Sequence, residues 1–249
     1  MRLKDKVALV TGGASGFGAD IVRAYAQEGA RVVNLDLNGE GAEKVSRAAG
    51  GEGFALKGDV TSRADIDAAV AAALNKFGRL DIVVNNAGWT FRNKPVLEVS
   101  EAEFDKVFAI NVKSIYHMVA AVAPVMTKQG GGAIINIGST AGVRPRPGLT
   151  WYNATKGAVN LVSKSLAVEL APQKIRVNCI APVMGETALL ESFMGLPDTP
   201  ENRAKFVATI PLGRMSRGAD IANACVWLAE DATAFVTGVV LPIDGGRTV

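Results

Sequence analysis

The sequence of 249 residues is poor in the side chains that disulfide, metal and histidine chemistry require. It contains a single histidine, His117, and two cysteines, Cys179 and Cys225, with no Cys-x-x-Cys pair. Two cysteines cannot form a disulfide framework, and a zinc site would lack its set of ligands. We interpret the cysteines as small buried hydrophobic residues of a reducing compartment. His117 lies in an apolar helical stretch, which favours a packed structural role over that of a catalytic base.

Charge and hydropathy exclude two further kinds of partner. The net charge is only +3 and the sequence has no block of Lys and Arg, so nothing in it indicates nucleic-acid binding. The longest apolar run, residues 118–126, is far below the roughly 18 residues that a membrane helix needs, and Pro124 interrupts it. The charged N-terminus leads directly into a strand pattern, unlike a signal peptide. We expect a cytoplasmic protein with no membrane or nucleic-acid partner.

Proline and aromatic residues are also scarce, whereas glycine is abundant. There are 10 Pro and 6% aromatics against 27 Gly. Without more proline or a triplet period, a collagen-like or disordered chain is excluded. The glycines must therefore serve particular backbone positions.

Short apolar runs alternate with helical stretches along the whole chain. The patterns predict strands at 7–10, 31–36, 54–57, 80–85, 132–138, 174–181 and 238–242, and helices at 16–27, 65–77, 100–126, 150–170 and 220–228. This alternation predicts an α/β fold, a Rossmann-type doubly wound parallel sheet of about seven strands with helices on both faces. We expect one domain over residues 1–249. An irregular excursion at 184–217 is either an active-site lid or a surface segment with two short helices.

A glycine-rich turn follows the first predicted strand and opens a helix. Gly12, Gly16 and Gly18 give the turn backbone freedom and let N–H groups approach a pyrophosphate. Asp36 ends the second strand, where a carboxylate can accept hydrogen bonds from the adenosine ribose. It would repel a 2′-phosphate, and neither Ser15 nor Leu37 supplies a cation. The sequence therefore predicts NAD(H) in preference to NADP(H). The alternative is that Asp36 only caps the strand.

A second group of residues indicates acid–base chemistry. Tyr152 and Lys156 are four residues apart in a predicted helix and so share a face. A lysine near a phenol favours the phenolate, which predicts a lowered tyrosine pKa. Ser139 ends a strand at the carboxyl edge of the sheet, where its hydroxyl could hold a substrate carbonyl oxygen. Asn111 lies inside the long helix, where its side chain could be exposed or bind water.

These motifs resemble those of the classical short-chain dehydrogenases/reductases along the whole chain. Thr11 to Gly18 matches the T-G-x-x-x-G-x-G turn, and Asn85-Asn86-Ala87-Gly88 matches the N-N-A-G motif. Asn111, Ser139, Tyr152 and Lys156 match the catalytic tetrad. The cofactor-binding residues implied by the resemblance and the turn are Gly12, Ser15, Gly16, Phe17, Gly18, Asp36, Asp59, Val60, Asn86, Ala87, Gly88, Tyr152, Lys156, Pro182, Val183 and Thr187. Val183 stands where the family usually has glycine.

The resemblance implies hydride transfer between nicotinamide C4 and a carbonyl or carbinol carbon. Tyr152 would transfer the proton and Ser139 would polarise the oxygen. Lys156 would lower the Tyr152 pKa and hold the nicotinamide ribose, and Asn111 would position a relay water. The family also implies a homotetramer that pairs helices at about 101–126 and 150–170.

The substrate pocket is predicted from the residues that follow the family motifs. The candidates are Trp89, Thr90, Phe91, Thr140, Arg144, Arg146, Trp151 and the 184–217 excursion. Arg144 and Arg146 could attract an anionic substrate. The alternative is a solvated or subunit-interface loop.

The leading interpretation is an NAD-dependent dehydrogenase of a secondary alcohol of the sugar, polyol or hydroxy acid type. A 3-oxoacyl-thioester reductase is the alternative, although such enzymes usually favour NADPH and carry a basic residue where Ser15 lies. A non-catalytic dinucleotide-binding regulator is a third hypothesis, which the intact tetrad disfavours. A serine hydrolase is disfavoured because Ser139 lacks a histidine partner.

Overall fold

A computed structural model describes residues 1–249, and seven parallel strands form its single sheet. The strands are β1 (Val7–Thr11), β2 (Arg31–Asp36), β3 (Phe54–Lys57), β4 (Ile82–Asn85), β5 (Gly132–Ile137), β6 (Ile175–Pro182) and β7 (Val240–Ile243). Their order across the sheet is β3-β2-β1-β4-β5-β6-β7. The order reverses beside β1, so the carboxyl ends of β1 and β4 flank the crevice in which such sheets bind ligands. The predicted fold class is confirmed.

Nine α-helices connect and cover the strands. They are α1 (Gly16–Gln27), α2 (Gly39–Ala49), α3 (Arg63–Phe77), α4 (Glu101–Phe108), α5 (Ser114–Gln129), α6 (Thr150–Leu170), α7 (Leu190–Met194), α8 (Pro200–Val207) and α9 (Gly218–Ala229). The sequence patterns missed α2, whose turn-like start contains two glycines. Asn38 caps this helix by accepting a hydrogen bond from the Gly41 N–H. The 184–217 excursion carries two short helices, α7 and α8, and several of its residues line the cavity described below.

The two faces of the sheet bury separate hydrophobic clusters. Alternate residues of β1 divide between them: Ala8 and Val10 pack with α1 and α9, whereas Val7 and Leu9 pack with α3, α5 and α6. Neighbouring side chains of a strand point to opposite faces of the sheet. Because helices cover both faces, every residue of β1 is buried. Each fully buried aliphatic side chain contributes about 1.5–3 kcal/mol. The core therefore fixes the strand ends that carry the site.

One long helical segment crosses the second face. Ser100 and Glu103 form the predicted capping box at the start of α4, and a π-helical turn, Ala109–Lys113, joins α4 to α5. By length and composition alone, residues 101–129 are apolar enough to cross a membrane. In the structure, however, Met118 and Val122 are buried against the sheet. The length and apolar composition of this segment are therefore also those of a helix packed against the core.

Candidate active site

The glycine turn joins the carboxyl end of β1 to the start of α1. Gly12 and Gly16 adopt φ values of 70° and 53°, a left-handed conformation that favours glycine. A Cβ on Gly18 would overlap the Gly12 carbonyl oxygen. The sequence therefore needs glycine at these three positions for backbone reasons.

Helix α1 begins without the side-chain cap that α2, α3, α4 and α8 have. Ser15 occupies the N-cap position but accepts no hydrogen bond, and no acid lies in the first turn. Ser62 and Ser100, in contrast, cap α3 and α4. An uncapped helix N-terminus presents unpaired N–H donors and a partial positive charge. Because this terminus lines a cavity, it fits the pyrophosphate of a dinucleotide.

Asp36 is held beside this turn at the end of β2. Its carboxylate accepts hydrogen bonds from the Ala14 N–H at 2.9 Å and the Asn38 N–H at 2.8 Å. The Asp36 side chain lines the cavity next to Leu37. Neither Leu37 nor Ser15 of the glycine turn supplies a cation. The carboxylate is therefore fixed, negatively charged and open to a hydroxyl donor.

The N-N-A-G segment ties β4 to the same turn. The Asn86 amide donates to the Thr11 and Gly12 carbonyl oxygens at 2.8 and 3.1 Å. The Thr11 hydroxyl accepts from the Asn86 and Ala87 N–H groups. Asn85 donates to Asn136 of β5 at 2.8 Å. These bonds hold the central strand ends in register around the cavity.

Ser139, Tyr152 and Lys156 line the cavity together near the carboxyl end of β5. Lys156 is buried and donates to the Ile137 carbonyl oxygen at 2.8 Å. The Ser139 hydroxyl accepts from the Ala141 N–H at 3.0 Å, which leaves its own O–H free to donate. Phe193 packs edge-on against the Tyr152 ring at 5.0 Å.

Asn111 lies beside this group but not in the wall of the cavity. Its amide donates to the Trp89 carbonyl oxygen and the Thr155 hydroxyl, both at 3.0 Å, and its oxygen accepts from the Trp89 N–H. The π-helical turn directs the side chain at these partners. Its polar atoms are thus occupied by protein groups, and its role with a relay water stays a prediction.

The charge environment of Tyr152 differs from the expected one. Burial raises the pKa of Tyr152 to about 12, while the Ser139 hydroxyl and the Arg146 charge act in the opposite direction. The direction is opposite to the lowered Tyr152 pKa that the sequence predicted. The Lys156 ammonium lies 5.9 Å from the ring centre and donates to the Ile137 carbonyl oxygen, and burial lowers its own pKa to about 8.

One cavity of about 790 Å³ connects these features. All sixteen residues predicted to bind the cofactor line it, together with Ser139, Trp89 and Thr140. Val183 is among them, with its side chain buried.

Several predicted substrate residues lie elsewhere. Arg144 is exposed and donates to the Arg247 carbonyl oxygen, and Trp151 packs edge-on against Phe104 at 5.1 Å. Phe91 is buried in a core cluster and Thr90 is buried beside it. None of these four lines the cavity.

Among the other lining residues, Phe193 and Phe206 belong to the predicted 184–217 excursion, whereas Lys106 and Arg247 had no signal in the sequence. Lys106 comes from α4, Phe193 from α7, Phe206 from α8 and Arg247 from the C-terminal turn. The excursion reaches the cavity because Gly185 pairs with Ser216 at its base. Only the folded chain brings these distant segments together.

The fold and this site define the class of protein: an oxidoreductase built on a doubly wound sheet. Residues 12–248 match the model of the family described as enoyl-(acyl carrier protein) reductase. A 4-formylbenzenesulfonate dehydrogenase of Comamonas testosteroni is 49% identical, with 100% of both chains covered. The chain belongs to the short-chain dehydrogenase/reductase family, and it is an oxidoreductase that acts on CH–OH or carbonyl groups.

Two solved structures are similar over nearly the whole chain. The 3-ketoacyl-(acyl-carrier-protein) reductase of Brucella melitensis, complexed with NADH, has a TM-score of 0.94 and 43% identity, with coverage of 99% of this chain and 100% of that one. An NAD⁺-bound xylitol dehydrogenase has a TM-score of 0.93 and 32% identity, with coverage of 99% and 100%.

Proposed function

We propose that this protein is an NAD(H)-dependent oxidoreductase that interconverts a secondary alcohol of the sugar, polyol or hydroxy acid type and its ketone. The observation that carries the proposal is the position of Ser139, Tyr152 and Lys156 in the wall of the same cavity as the uncapped glycine turn. A non-catalytic regulator would need the turn but neither Tyr152 nor Lys156.

The residues at the turn fit a dinucleotide. The first turn of α1 would hold the pyrophosphate, Asp36 the adenosine ribose, and Asp59 and Val60 would border the adenine. Lys156, Pro182, Val183 and Thr187 would contact the nicotinamide riboside. The bound cofactor would supply or accept the hydride. Because Asp36 is fixed and no cation faces it, we propose NAD(H) over NADP(H).

Tyr152 would move the proton in this reaction. Its pKa of about 12 keeps the phenol protonated at neutral pH, so it can donate to a carbonyl oxygen during reduction. The free Ser139 O–H would donate to the same oxygen and polarise the carbonyl. Lys156 would orient the cofactor and adjust the Tyr152 pKa once its ammonium shifts toward the site.

A 3-oxoacyl-thioester reductase is the second candidate. The similarity to the Brucella melitensis reductase favours it. Ser15, where a basic residue is usual in such enzymes, disfavours it. The similarity to the xylitol dehydrogenase favours the first proposal, since xylitol is a polyol.

The decisive experiment is a panel of ketones and thioesters followed by NADH absorbance. We expect turnover of ketones with wild type, and a loss of at least about 100-fold in Tyr152→Phe because the general acid is removed. NADH binding, measured by calorimetry, should remain in the variant. Unchanged turnover in Tyr152→Phe would refute the assigned proton donor, and turnover of thioesters alone would favour the second candidate.

We also propose a cytoplasmic homotetramer that pairs the helices at about 101–126 and 150–170. Tyr116 on α5 and Leu161 and Val168 on α6 support it, because these large apolar side chains are exposed in one copy of the chain. Both cysteines are free and buried, as suits a reducing compartment. Light scattering that gives the mass of a monomer would contradict the assembly.

A further inference from the structure

Charge is distributed unevenly along the cavity. Its only acidic lining residues, Asp36 and Asp59, lie at the end proposed for adenosine. The other end contains Lys106, Arg146 and Arg247, in addition to Lys156. The substrate end, defined by Trp89, Lys106, Arg146, Phe193, Phe206 and Arg247, is therefore basic and aromatic.

Arg146 is one of the cations that line the substrate end. Its guanidinium is half-buried and lies over the Phe206 ring, 4.6 Å from the ring centre. Its positive charge acts to lower the pKa of Tyr152, against the larger effect of burial. Its backbone is fixed, because the Asn153 amide donates to the Arg146 carbonyl oxygen at 2.8 Å.

Arg146 and Arg247 have no carboxylate partner. Arginines elsewhere, such as Arg79 and Arg203, form ion pairs with Asp81 and Asp198, but neither Arg146 nor Arg247 forms one. Burial and the neighbouring Arg247 charge lower the pKa of Arg146 to about 10. Two cations that repel each other in a partly desolvated wall are costly unless an anion joins them.

The acid closest in sequence to Arg247 is already engaged. The Asp244 carboxylate accepts hydrogen bonds from the Gly246 N–H at 2.9 Å and from the Thr248 N–H and hydroxyl at 2.9 and 2.6 Å. The Arg247 guanidinium donates only to the Thr209 carbonyl oxygen, at 3.3 Å. The remaining guanidinium donors of both arginines are thus available to a ligand.

We propose that Arg146 and Arg247 form an anion subsite that binds a carboxylate or sulfonate group of the substrate. This deepens the proposed function and rests on it, because it assigns the substrate class of the same site. The planar fork of a guanidinium matches the two oxygens of such a group. The rings of Phe193 and Phe206 would contact the apolar body of the substrate between this anion and the reacting carbon.

A purely structural role for Arg146 is the competing explanation. Its contact with Phe206 could serve only to hold the excursion in place through a cation–π interaction. That role requires a positive charge on the protein but gives no preference between a charged and a neutral ligand. Ligand pairs that differ only in charge therefore separate the two explanations.

The test measures binding of benzoate and of the neutral benzamide by calorimetry, with saturating NADH. Wild type should bind benzoate at least about 10-fold more tightly, since charge-assisted hydrogen bonds are the stronger kind. Arg146→Met, which keeps an unbranched apolar side chain but removes the guanidinium, should lose this preference. Arg146→Lys should keep part of it. Arg47→Met is the matched control, because Arg47 is an exposed arginine of α2 outside the cavity, and it should keep the wild-type preference.

Equal binding of benzoate and benzamide by wild type would overturn the proposal. A preserved preference in Arg146→Met would overturn it as well. Thermal unfolding checks that each variant is folded, and Arg247→Met gives a second route if Arg146→Met is not. Because the readout is heat of binding, a failure of this subsite is distinguishable from a failure of turnover in the ketone panel.

Discussion

The two ends of the cavity are built in different ways. At the dinucleotide end, backbone groups of one β–turn–α unit face the cavity, and nearby side chains such as Asp36 and Asn86 bond to that backbone. At the substrate end, side chains from α4, α7, α8 and the C-terminal turn converge. The first end is specified by local sequence spacing, whereas the second depends on the whole fold.

The difference extends to charge and to the means of support. The dinucleotide end has an uncapped helix N-terminus and fixed carboxylates, so it can bind phosphate and hydroxyl groups at once. The substrate end has the unpaired guanidinium groups of Arg146 and Arg247. It also has the aromatic rings of Phe193 and Phe206, which lie on the excursion. The dinucleotide end suits a ligand of constant structure. The substrate end can be adapted to a different substrate by substitution of single side chains.

The largest expected effect comes from a substitution that disrupts the dinucleotide end alone. Gly18→Val places a Cβ against the Gly12 carbonyl oxygen and the Asn86 amide, so the turn must shift. Overpacking costs up to about 3 kcal/mol, which corresponds to roughly a 100-fold loss of NADH affinity. Calorimetric titration with NADH measures this loss.

A glycine of α6 provides the matched control. A Cβ on Gly157 would meet only the Gly142 carbonyl oxygen at 3.7 Å, an ordinary contact, so Gly157→Ala should keep the wild-type NADH affinity. Benzoate binding measured without nucleotide should survive in Gly18→Val if the two ends are independent. Wild-type NADH affinity in Gly18→Val would contradict the role of the turn.

A smaller effect concerns the choice of cofactor. Asp36→Asn removes the negative charge but keeps an oxygen that can accept from the Ala14 N–H. We expect the ratio of kcat/KM for NADH over NADPH to fall about 10-fold, because repulsion of the 2′-phosphate is removed and a charge-assisted hydrogen bond to the ribose is weakened. Steady-state kinetics with both cofactors gives the ratio.

Glu40→Gln serves as the control for general charge effects. Glu40 is an exposed acid in the first turn of α2 and does not line the cavity, so its loss should leave the ratio unchanged. If Asp36→Asn also leaves the ratio unchanged, Asp36 only caps the strand and the preference for NAD(H) has another origin.

The same contrast explains what could be predicted from sequence. The glycine turn, Asp36 and the β–α alternation depend on residues close in sequence, so spacing alone located them. Helix α2 was missed because Gly39 and Gly41 look like a turn, while the buried Ala42 and Val45 stabilise a helix. Local propensity is there overridden by packing.

The substrate end was harder to predict for a physical reason. Arg144 and Arg146 are equivalent in sequence, yet the loop directs Arg146 into the cavity and Arg144 to the surface. Trp151 and Tyr152 are neighbours in α6, and their different helix faces send one ring to Phe104 and the other to the cavity. Arg247 has no motif around it. Side-chain direction, which depends on tertiary packing, decides these cases.

The smallest effect tests why the first end binds anions. Ser100 caps α4 through the Glu103 N–H at 3.3 Å, whereas Ser15 caps nothing on α1. In the protein without nucleotide, Ser100→Ala should therefore lower the free energy of unfolding by about 1 kcal/mol. Ser15→Ala should change it by less than about 0.5 kcal/mol. Urea unfolding measures both losses. Equal losses at Ser15 and Ser100 would mean that Ser15 occupies the N–H groups of α1, and these groups would then not be free to bind a pyrophosphate.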